Sequence, residues 1–518
     1  MSSDLARATT RGVMWTGISQ FSRQALQLVV IAVLARLLLP EDFGVIAIAV
    51  FFMGLVGRVR LGFSFTVIQR TEISQSQLST LFWSGAGAGV IMWVISAAAS
   101  PLIAAFVGND LVRPILFVLS TGFIINGFGL VQQGMLSRNL EFKKLAMVEI
   151  GGAVAAGAFS IWLAYAGFGV WSLVWGDLLS SLIVVALLWK VCPWRPWLHF
   201  SFKSLRALSG FGSAVVANGV VNHLGMELDK PLVGRLLGSG TLGLFSQASR
   251  LTQFPRLNLA QVVLQVTFPA FSRIQDDDDR LRRGYLKSVA YISMVTFPLL
   301  VGMGIVAPEF VRVMYGTKWT DMIVLLQLLC LAGIVSSVGT TVGSVAFAKG
   351  RADLLLKLNL LKIPLFVAAL LIGGRYGIVG VATAVSVFSV GWTLFTQVFI
   401  NRLIRLRMVD WLGSLYPATL GSVGMVAVLL PLRWMAVRFL SLPDSALLIS
   451  LVGVGAAAYF LTLWIARIKE LDEMRQLAGD LLSPYGATLR HRVTGGPASP
   501  SAVEEHHQQR GGDDQHQG

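Results

Sequence analysis

The sequence predicts an all-α protein that crosses a membrane many times, with about fourteen transmembrane helices. Three observations lead to this fold class. Of the 518 residues, 55% are hydrophobic and 13% are charged, and the mean hydropathy is +0.70, which is more apolar surface than a soluble core could bury. Apolar stretches of about 20 residues, the length that crosses roughly 30 Å of hydrocarbon, recur along the chain. The connections between these stretches are short.

The apolar stretches delimit the helices in order. The first begins after Arg7 and Arg11 and is longer than a signal peptide, with no small-residue cleavage pattern, so we interpret it as a retained helix. The predicted spans, with ends set to within a few residues, are 12–36, 43–67, 78–107, 112–135, 145–166, 168–189, 207–228, 241–268, 286–311, 322–347, 354–373, 376–400, 411–432 and 445–466.

Lysine and arginine are distributed unevenly over the loops between these helices. With a cytoplasmic N-terminus, the cytoplasmic loops hold roughly twice as many of them as the outer loops, in agreement with the positive-inside rule. An even number of helices then places both termini in the cytoplasm. The polar segment after 482 is predicted to be a disordered tail, in which His506, His507 and His516 are solvated rather than bound to a metal.

The chain resembles itself at an offset of roughly 200 residues. ARLLLPEDFG, which begins at Ala35, matches GRLLGSGTLG from Gly234, and FGVWSLV from Phe168 matches YGIVGVA from Tyr376. Transporters are often built from two related halves with the substrate site between them, so a duplicated block of six helices is the simplest explanation. Chance similarity among Leu-, Gly- and Ala-rich segments is the alternative. The predicted domains are an N-terminal lobe at 1–200, a C-terminal lobe at 201–408, two further helices at 409–482 and the tail at 483–518.

Amide side chains line up along three of the predicted helices. On the first helix, Gln20, Arg23, Gln24 and Gln27 follow the spacing i, i+3, i+4 and i+7, which gathers them on one face. Such a face cannot contact lipid, because no water is present there to satisfy its donors. For a single amide, joining two helices is the alternative role. The candidates for contacts with sugar hydroxyls are Gln20, Gln24, Gln27, Asn218, Asn222, Gln247 and Gln253.

Cations inside the predicted spans outnumber the acids. Asp177 is the one clearly mid-span acid, and Glu149 lies near a helix end. Buried charge without compensation is costly, so we expect a wet cavity completed by an anionic ligand. Arginine suits phosphate because its planar fork can form two parallel hydrogen bonds. The residues predicted to line this cationic cavity are Arg23, Arg58, Arg60, Arg250, Arg256 and Lys362.

Arg58 and Arg60 interrupt the second apolar stretch, and each costs roughly 2.5–3.5 kcal/mol at the centre of a spanning helix. Shifting Arg58 by the repeat offset reaches Leu257, next to Arg256, so the two halves would present cations at similar depth. The alternative is that the helix ends near Gly57 and the pair lies among lipid headgroups.

Several kinds of chemistry find no support in the sequence. Cys192 and Cys330 lie far apart, without metal-ligand spacing or a pattern of paired cysteines. The acidic run 276–279 is followed at once by basic residues, which favours a solvated helix start over a metal and nucleotide-sugar site. No Gly-rich phosphate loop or nucleophile elbow is present. We therefore predict a protein that is not an enzyme and that has no metal site and no cofactor.

Five segments resemble the Wzx-type polysaccharide and oligosaccharide flippases of the multidrug/oligosaccharidyl-lipid/polysaccharide exporter superfamily. They are LARLLLPEDFGVIAIAV, LGFSFTVIQR, DKPLVGRLLGSGTLGLFSQASRL, FPAFSRIQDDDDRLRRGY and APEFVRVMYGTKW. The resemblance implies two six-helix lobes in a V around a central cavity, with two extra helices. It also implies export of an undecaprenyl-diphosphate-linked sugar unit across the bacterial inner membrane by alternating access.

The resemblance carries over only the pattern of a basic cavity, at Arg23, Arg58, Arg250 and Arg256. Relatives often carry an acidic residue where this chain has Arg60, so the local chemistry of that turn does not transfer. The implied partners are the lipid-linked oligosaccharide, membrane lipids and the polymerase and export machinery of the same pathway, with no nucleic acid.

Other functions remain open at this stage. A MATE-like drug or cation exporter would carry carboxylates in its cavity, and a lipid II-type flippase would share the fold. A membrane glycosyltransferase would need a large outer loop with catalytic acids, and a scaffold would leave the interior arginines unexplained. The membrane potential could drive outward movement of an anion, and Asp177 is the candidate site if Na⁺ or H⁺ is the coupling ion.

Overall fold

The structure is a computed structural model that describes residue 20 and residues 22–69, 74–202, 212–273, 277–440, 442–471 and 473. Within these ranges, the side chains of 59–69, 212–215, 254–273, 352 and 440 are outside the description. The chain divides into two compact units, residues 1–459 and 460–518. The described part of the second unit contains the end of the last helix and a short segment that follows it.

Helices dominate the described residues, in agreement with the predicted all-α class. In chain order they are α1 (22–37), α2 (Pro40–Gln69), α3 (Gln75–Val107), α4 (Val112–Gly127), α5 (Leu130–Arg138), α6 (Phe142–Tyr165), α7 (Trp171–Val191), α8 (Gly212–Glu227), α9 (Asp229–Arg273), α10 (Asp278–Ile305), α11 (Ala307–Met314), α12 (Met322–Val338), α13 (Val342–Ala348), α14 (Ala352–Gly374), α15 (Gly377–Leu403), α16 (Met408–Gly413), α17 (Tyr416–Met435) and α18 (Asp444–Ile465).

Ten of the described helices are long and apolar enough to cross a membrane. The number is up to eleven if α4 and α5, which meet at a bend of 49°, form one broken span. The protein is therefore a multi-pass membrane protein, and the total of about fourteen helices remains a prediction.

The region between the seventh and eighth predicted helices differs from the prediction. The sequence indicated a loop over 229–240, whereas the helical backbone resumes at Asp229 and is interrupted only at Gly238, where φ is +83°. The charged residues of this segment lower its hydropathy, yet Lys230 forms an ion pair with Glu227, the last residue of α8, so these two charges are satisfied where α8 meets α9.

The broken helices recur at equivalent places, roughly 200 residues apart. The α4–α5 pair breaks at Phe128 and Gly129, and the α12–α13 pair breaks at a 3₁₀ turn over Gly339–Thr341. A residue with positive φ stands before α6, at Leu140, and another before α14, at Gly350. The duplicated block that the sequence indicated is thus accompanied by matching helices and matching breaks, and the resulting pseudo-symmetric fold agrees with the predicted class.

The two halves share one apolar core. A single cluster of buried residues draws members from α2, α4, α9 and α12, among them Ile48, Leu116, Phe245 and Leu326. The fully buried Trp319 also belongs to it, donating its indole Nε1–H to the carbonyl oxygen of Ala35 at 2.9 Å. This bond joins the C-terminal half to α1, because Trp319 lies in the turn between α11 and α12.

Glycines bring α2 and α9 into backbone contact near the start of α2. A Cβ added at Gly44 would lie 1.8 Å from the carbonyl oxygen of Ser239, and one added at Gly243 would lie 1.7 Å from that of Pro40. Gly44 and Gly243 are matched in the repeat, and so are Pro40 and Ser239. The contact is therefore pseudo-twofold, since Gly44 meets Ser239, the counterpart of Pro40, and Gly243 meets Pro40 itself. Small residues that allow such close approach are typical of membrane helix interfaces.

The two helices after the duplicated block are tied to the C-terminal half by ion pairs. Glu309 is fully buried in α11, and Arg433 at the end of α17 donates from Nε to its Oε1 at 3.0 Å. Arg312 pairs with Asp444 at the start of α18 at 3.2 Å. These contacts fix one end of α17 and α18 against α11.

Alanine at Gly44 or at Gly243 is expected to destabilise the contact between the halves, since a Cβ there meets a backbone carbonyl rather than a movable side chain. We expect a cost of about 1–3 kcal/mol for each variant, measured by thermal unfolding in detergent. Gly87→Ala on α3 is the control, because a Cβ at Gly87 meets nothing within 4 Å. Equal midpoints for all three variants would contradict the close crossing.

Glu309→Gln is expected to leave Arg433 without its carboxylate and to lower the free energy of unfolding by about 3 kcal/mol, as for other broken buried pairs. The double variant Glu309→Gln/Arg433→Gln should recover part of the loss. Asp353→Asn, which breaks an exposed pair with Arg351, is the control and should change little. Additive losses in the double variant would show that the two residues are not coupled.

Candidate functional site

Arg58 lies inside α2, which continues through Gln69, so the helix does not end near Gly57. At about 1.5 Å per residue, Arg58 stands roughly 20 Å along the helix from Gly44 and the crossing with α9. Its side chain is part-buried, and its Nη2 lies 3.0 Å from Nδ1 of His223 on α8. The cation therefore joins the N-terminal half to the C-terminal half.

His223 is buried and held on both sides of its ring. Its Nε2 donates to the carbonyl oxygen of Phe51 at 2.9 Å, and its ring stacks on the Phe51 ring with centroids 5.2 Å apart. Because a carbonyl oxygen only accepts, the proton is on Nε2, and Nδ1 is left as the acceptor for Arg58. The imidazole is thus neutral, and it satisfies one N–H of Arg58 without cancelling its charge.

Gly54 makes room for this pair, because a Cβ there would lie 2.7 Å from the His223 ring. Gly219 lies beside the Arg58 side chain, where a Cβ would meet it at an ordinary contact distance of 3.5 Å. Gly54 precedes Arg58 by one turn and Gly219 precedes His223 by one turn, so each helix receives the polar side chain of the other. We call the four residues Gly54, Arg58, Gly219 and His223 the inter-half clasp.

A small cleft of about 30 Å³ lies between α1 and α9, nearer the glycine crossing than Arg58 is. Arg250 is exposed at this cleft, and its position in the repeat is that of Phe51 in α2. Gln24 and Gln27 line the cleft from α1, and Tyr315 lines it from the turn after α11. Burial raises the pKa of the Tyr315 hydroxyl to about 12, so this group stays protonated and can donate a hydrogen bond.

Two other predicted cations, Lys362 and Arg23, lie outside the clasp and the cleft. Lys362 on α14 donates to the carbonyl oxygen of Gly225 at 2.8 Å, one turn from the clasp. Arg23 does have a carboxylate nearby, with its Nη1 3.7 Å from Oε2 of Glu149, and both side chains are partly exposed. The predicted amide face of the first helix is thus divided, with Gln24 and Gln27 at the cleft and Arg23 towards α6.

The remaining amides differ in their surroundings. Gln247 is buried and its Oε1 has no hydrogen-bond partner among the described atoms. Gln253 donates to Ser249 at 3.2 Å, one turn earlier on α9. Asn218 and Asn222 are exposed on α8, beside the clasp glycine and His223 in sequence.

Three predicted residues remain outside this arrangement. Asp177 is exposed on α7. The side chains of Arg60 and Arg256 lie outside the described residues, so the predicted equivalence of Arg58 and Arg256 stays a prediction.

Sequence reasoning did not place His223 in the site. The sequence does hold Gly-x-x-x-Arg at 54–58 and Gly-x-x-x-His at 219–223, but in a chain with 53 glycines such a spacing is too common to identify the pair. Tyr315 was missed as well, because it lies in a turn outside the predicted spans.

Residues 33–324 match the family described as polysaccharide biosynthesis protein. The lipopolysaccharide biosynthesis protein WzxC of Escherichia coli (strain K12) is 34% identical over 385 residues, which cover 73% of this chain and 77% of WzxC. The succinoglycan biosynthesis transport protein ExoT of Rhizobium meliloti (strain 1021) is 26% identical over 340 residues, 65% of this chain and 68% of ExoT.

Among solved structures, the lipid II flippase MurJ in an inward closed conformation has a similar fold. The TM-score is 0.70 over 89% of this chain and 99% of MurJ, at 17% identity, which is a likeness of fold alone. The resemblance to Wzx-type proteins that the sequence indicated is confirmed. The chain is a multi-pass membrane protein that belongs to the polysaccharide biosynthesis protein family, and its fold is similar to that of MurJ.

Proposed function

We propose that the protein is a flippase that moves an undecaprenyl-diphosphate-linked oligosaccharide repeat unit across the bacterial inner membrane for polysaccharide biosynthesis. The observation that carries the proposal is the neutral partnering of interior cations. Arg58 is bound by a neutral imidazole, and Arg250 is exposed at a cleft whose polar lining includes Gln24 and Gln27. The hydrogen bond to His223 holds the Arg58 side chain in place without cancelling its positive charge.

The chemistry of the substrate fits these groups. A diphosphate offers several acceptor oxygens and about two negative charges, which arginine binds strongly in charge-assisted pairs. The Tyr315 hydroxyl and the amides of Gln24 and Gln27 would bond neighbouring oxygens and sugar hydroxyls. The lipid chain would stay in the bilayer while the polar part crosses between the halves.

Transport by alternating access would proceed by movement of the halves about each other. We propose that residues 1–200 and 201–408 are the two lobes, that 409–482 hold two accompanying helices and that 483–518 form a cytoplasmic tail. The crossing of Gly44 and Gly243 would close one end of the path, and the clasp would hold the lobes together further along. With both termini in the cytoplasm, the crossing would lie at the outer end.

The membrane potential would assist this movement, since each charge that crosses 100 mV gains about 2.3 kcal/mol. A cytoplasm that is negative inside favours the outward passage of a net anion. The protein would therefore act as a transporter rather than as an enzyme.

Loss of the cavity cations is expected to prevent export. In cells that lack the gene, lipid-linked oligosaccharide should accumulate on the cytoplasmic face, and the wild-type chain should restore surface polysaccharide. Arg58→Ala, Arg250→Ala and Arg256→Ala should each reduce export by about 10- to 100-fold, because a hydrogen bond to a charged group contributes about 1.5–3 kcal/mol. Export is measured as surface polysaccharide at matched protein levels.

The control is Arg375→Ala, which removes an exposed arginine in the turn before α15. Full rescue by all three cavity variants would remove these side chains from the mechanism. A deletion that altered drug sensitivity while surface polysaccharide stayed intact would favour the drug-exporter alternative, and accumulation of a peptidoglycan precursor would favour the lipid II-type alternative.

Arg250→Gln is expected to weaken binding of undecaprenyl diphosphate about tenfold, since the glutamine keeps hydrogen-bonding capacity and loses the charge. Binding to the purified protein in detergent can be measured by native mass spectrometry at several salt concentrations. Affinity of the wild-type chain should fall with salt more steeply than that of the variant. Arg375→Gln should match the wild-type chain, and an unchanged affinity for Arg250→Gln would place the diphosphate elsewhere.

A further inference from the structure

We propose that His223 is a proton-binding site whose occupancy releases the inter-half clasp, so that proton binding is coupled to the separation of the halves. The inference rests on the proposed function for the process that the proton would serve. It names H⁺ as the coupling ion and places its site at His223 rather than at the earlier candidate, Asp177.

The hydrogen bonds of His223 require the neutral ring. Nε2–H is committed to the carbonyl oxygen of Phe51 at 2.9 Å, so Nδ1 is the one nitrogen that can accept from Arg58, 3.0 Å away. Protonation at Nδ1 would set an N–H donor against another N–H donor, and two cations would face each other at the same distance. The protonated ring and the closed clasp therefore exclude each other.

The charges around His223 strengthen this conflict. From α2 the ring meets Arg58, and from the start of α9 the charge of Lys230 acts on it. Lys362 on α14 bonds to α8 at Gly225. On the acidic side, Glu227 on α8 is ion-paired with Lys230, and Asp229 is buried beside that pair. Because Glu227 and Lys230 pair with each other, Arg58 is the cation that directly opposes a positive charge on the ring, so the closed clasp disfavours protonation of His223.

Separation of α2 from α8 would move away Arg58, the cation that most strongly disfavours protonation of His223. Arg58 belongs to the N-terminal half and would leave with it, whereas Glu227 lies on the same helix as His223 and would stay. The separated state therefore binds the proton more tightly than the clasped state. By linkage, acid shifts the population towards separation, and closing of the clasp expels the proton.

The packing explains why the clasp responds to a single proton. Gly54 allows the His223 ring to approach α2, and the Nε atom of Arg58 is buried with no partner among the described atoms. The contact thus depends on one good hydrogen bond from Arg58 to Nδ1. Loss of that bond would leave a desolvated guanidinium beside an imidazolium.

The distance between the halves can be measured as a function of pH by electron spin resonance. Spin labels would replace Val90 on α3 and Leu365 on α14, which are both exposed, in a background without Cys192 and Cys330. We expect the wild-type chain to pass from a shorter to a longer distance as the pH falls from 8 to 5. For one proton, the ratio of the two populations changes by up to about tenfold per pH unit.

Four variants distinguish an effect of protonating His223 from an effect of a disturbed fold. His223→Gln cannot be protonated and should keep one distance distribution throughout, while His223→Lys should favour the longer distance at every pH. Arg58→Gln should fold and weaken the pH response, because the opposing cation is gone. His199→Gln, which removes an exposed histidine in the segment before α8, should respond like the wild-type chain. A pH response in His223→Gln equal to that of the wild-type chain would overturn the proposal.

A second readout distinguishes the proton site from the proposed function. Flipping of a lipid-diphosphate-linked oligosaccharide would be measured in vesicles with and without a pH gradient. Flipping that the gradient accelerates in the wild-type chain and not in His223→Gln supports the coupling. Equal acceleration in both chains overturns it while flipping itself stands. If neither chain flips the lipid, the proposed function fails, and the distance measurement alone decides whether His223 is a proton switch.

Discussion

Positive charge held inside an apolar bundle is the constraint on which the rest of the structure depends. Water is scarce there, so buried polar groups need partners, and a carboxylate partner would cancel the positive charge. Arg58 has a neutral acceptor, the ring nitrogen Nδ1 of His223, and Lys362 donates to a backbone carbonyl oxygen. Arg23, which lies 3.7 Å from Glu149, shows the other solution on the same scaffold. The two arrangements differ in whether a neutral group or an acid lies beside the cation.

These acceptors come from the opposite half or from a neighbouring helix, so the placement of charge depends on how the helices pack. The shared core around Trp319 and the backbone contact of Gly44 with Ser239 fix α1 and α2 against α9. With these helices fixed, α8 lies against α2 further along, where the absence of a side chain at Gly54 leaves space for the His223 ring. Contacts near the start of α2 are therefore close and apolar, whereas the contact at Arg58 is polar and depends on a hydrogen bond. The polar end is the part of the interface that a change of charge can alter.

The sequence alone predicted most of the fold and a smaller part of the site. Long apolar stretches locate helices well, because the thickness of the hydrocarbon imposes their length. They could not show that the helix resumes at Asp229, since charge lowers hydropathy whether or not it is satisfied. Polar residues inside apolar stretches are expected to face one another rather than lipid, and Gln24, Gln27 and Arg250 do line one cleft. The pairing of Arg58 with His223 was not foreseen, because 53 glycines make a Gly-x-x-x spacing common, and only the packing of α2 on α8 selects two of them.

The pseudo-twofold crossing has a consequence for the origin of the chain. In this contact, the start of α2 meets the equivalent segment of α9. The same contact would form equally well between two separate copies of one half, so a single ancestral half could have dimerised through the same glycine. Two halves in one polypeptide do not need identical surfaces. Arg250 now stands where the other copy has Phe51, and Leu257 stands where the other has Arg58. A fused pair of unlike halves can present different side chains on its two sides, which suits a ligand without symmetry. A homodimer of identical halves would present the same side chains twice, and such a ligand could occupy only one of the two equivalent sites.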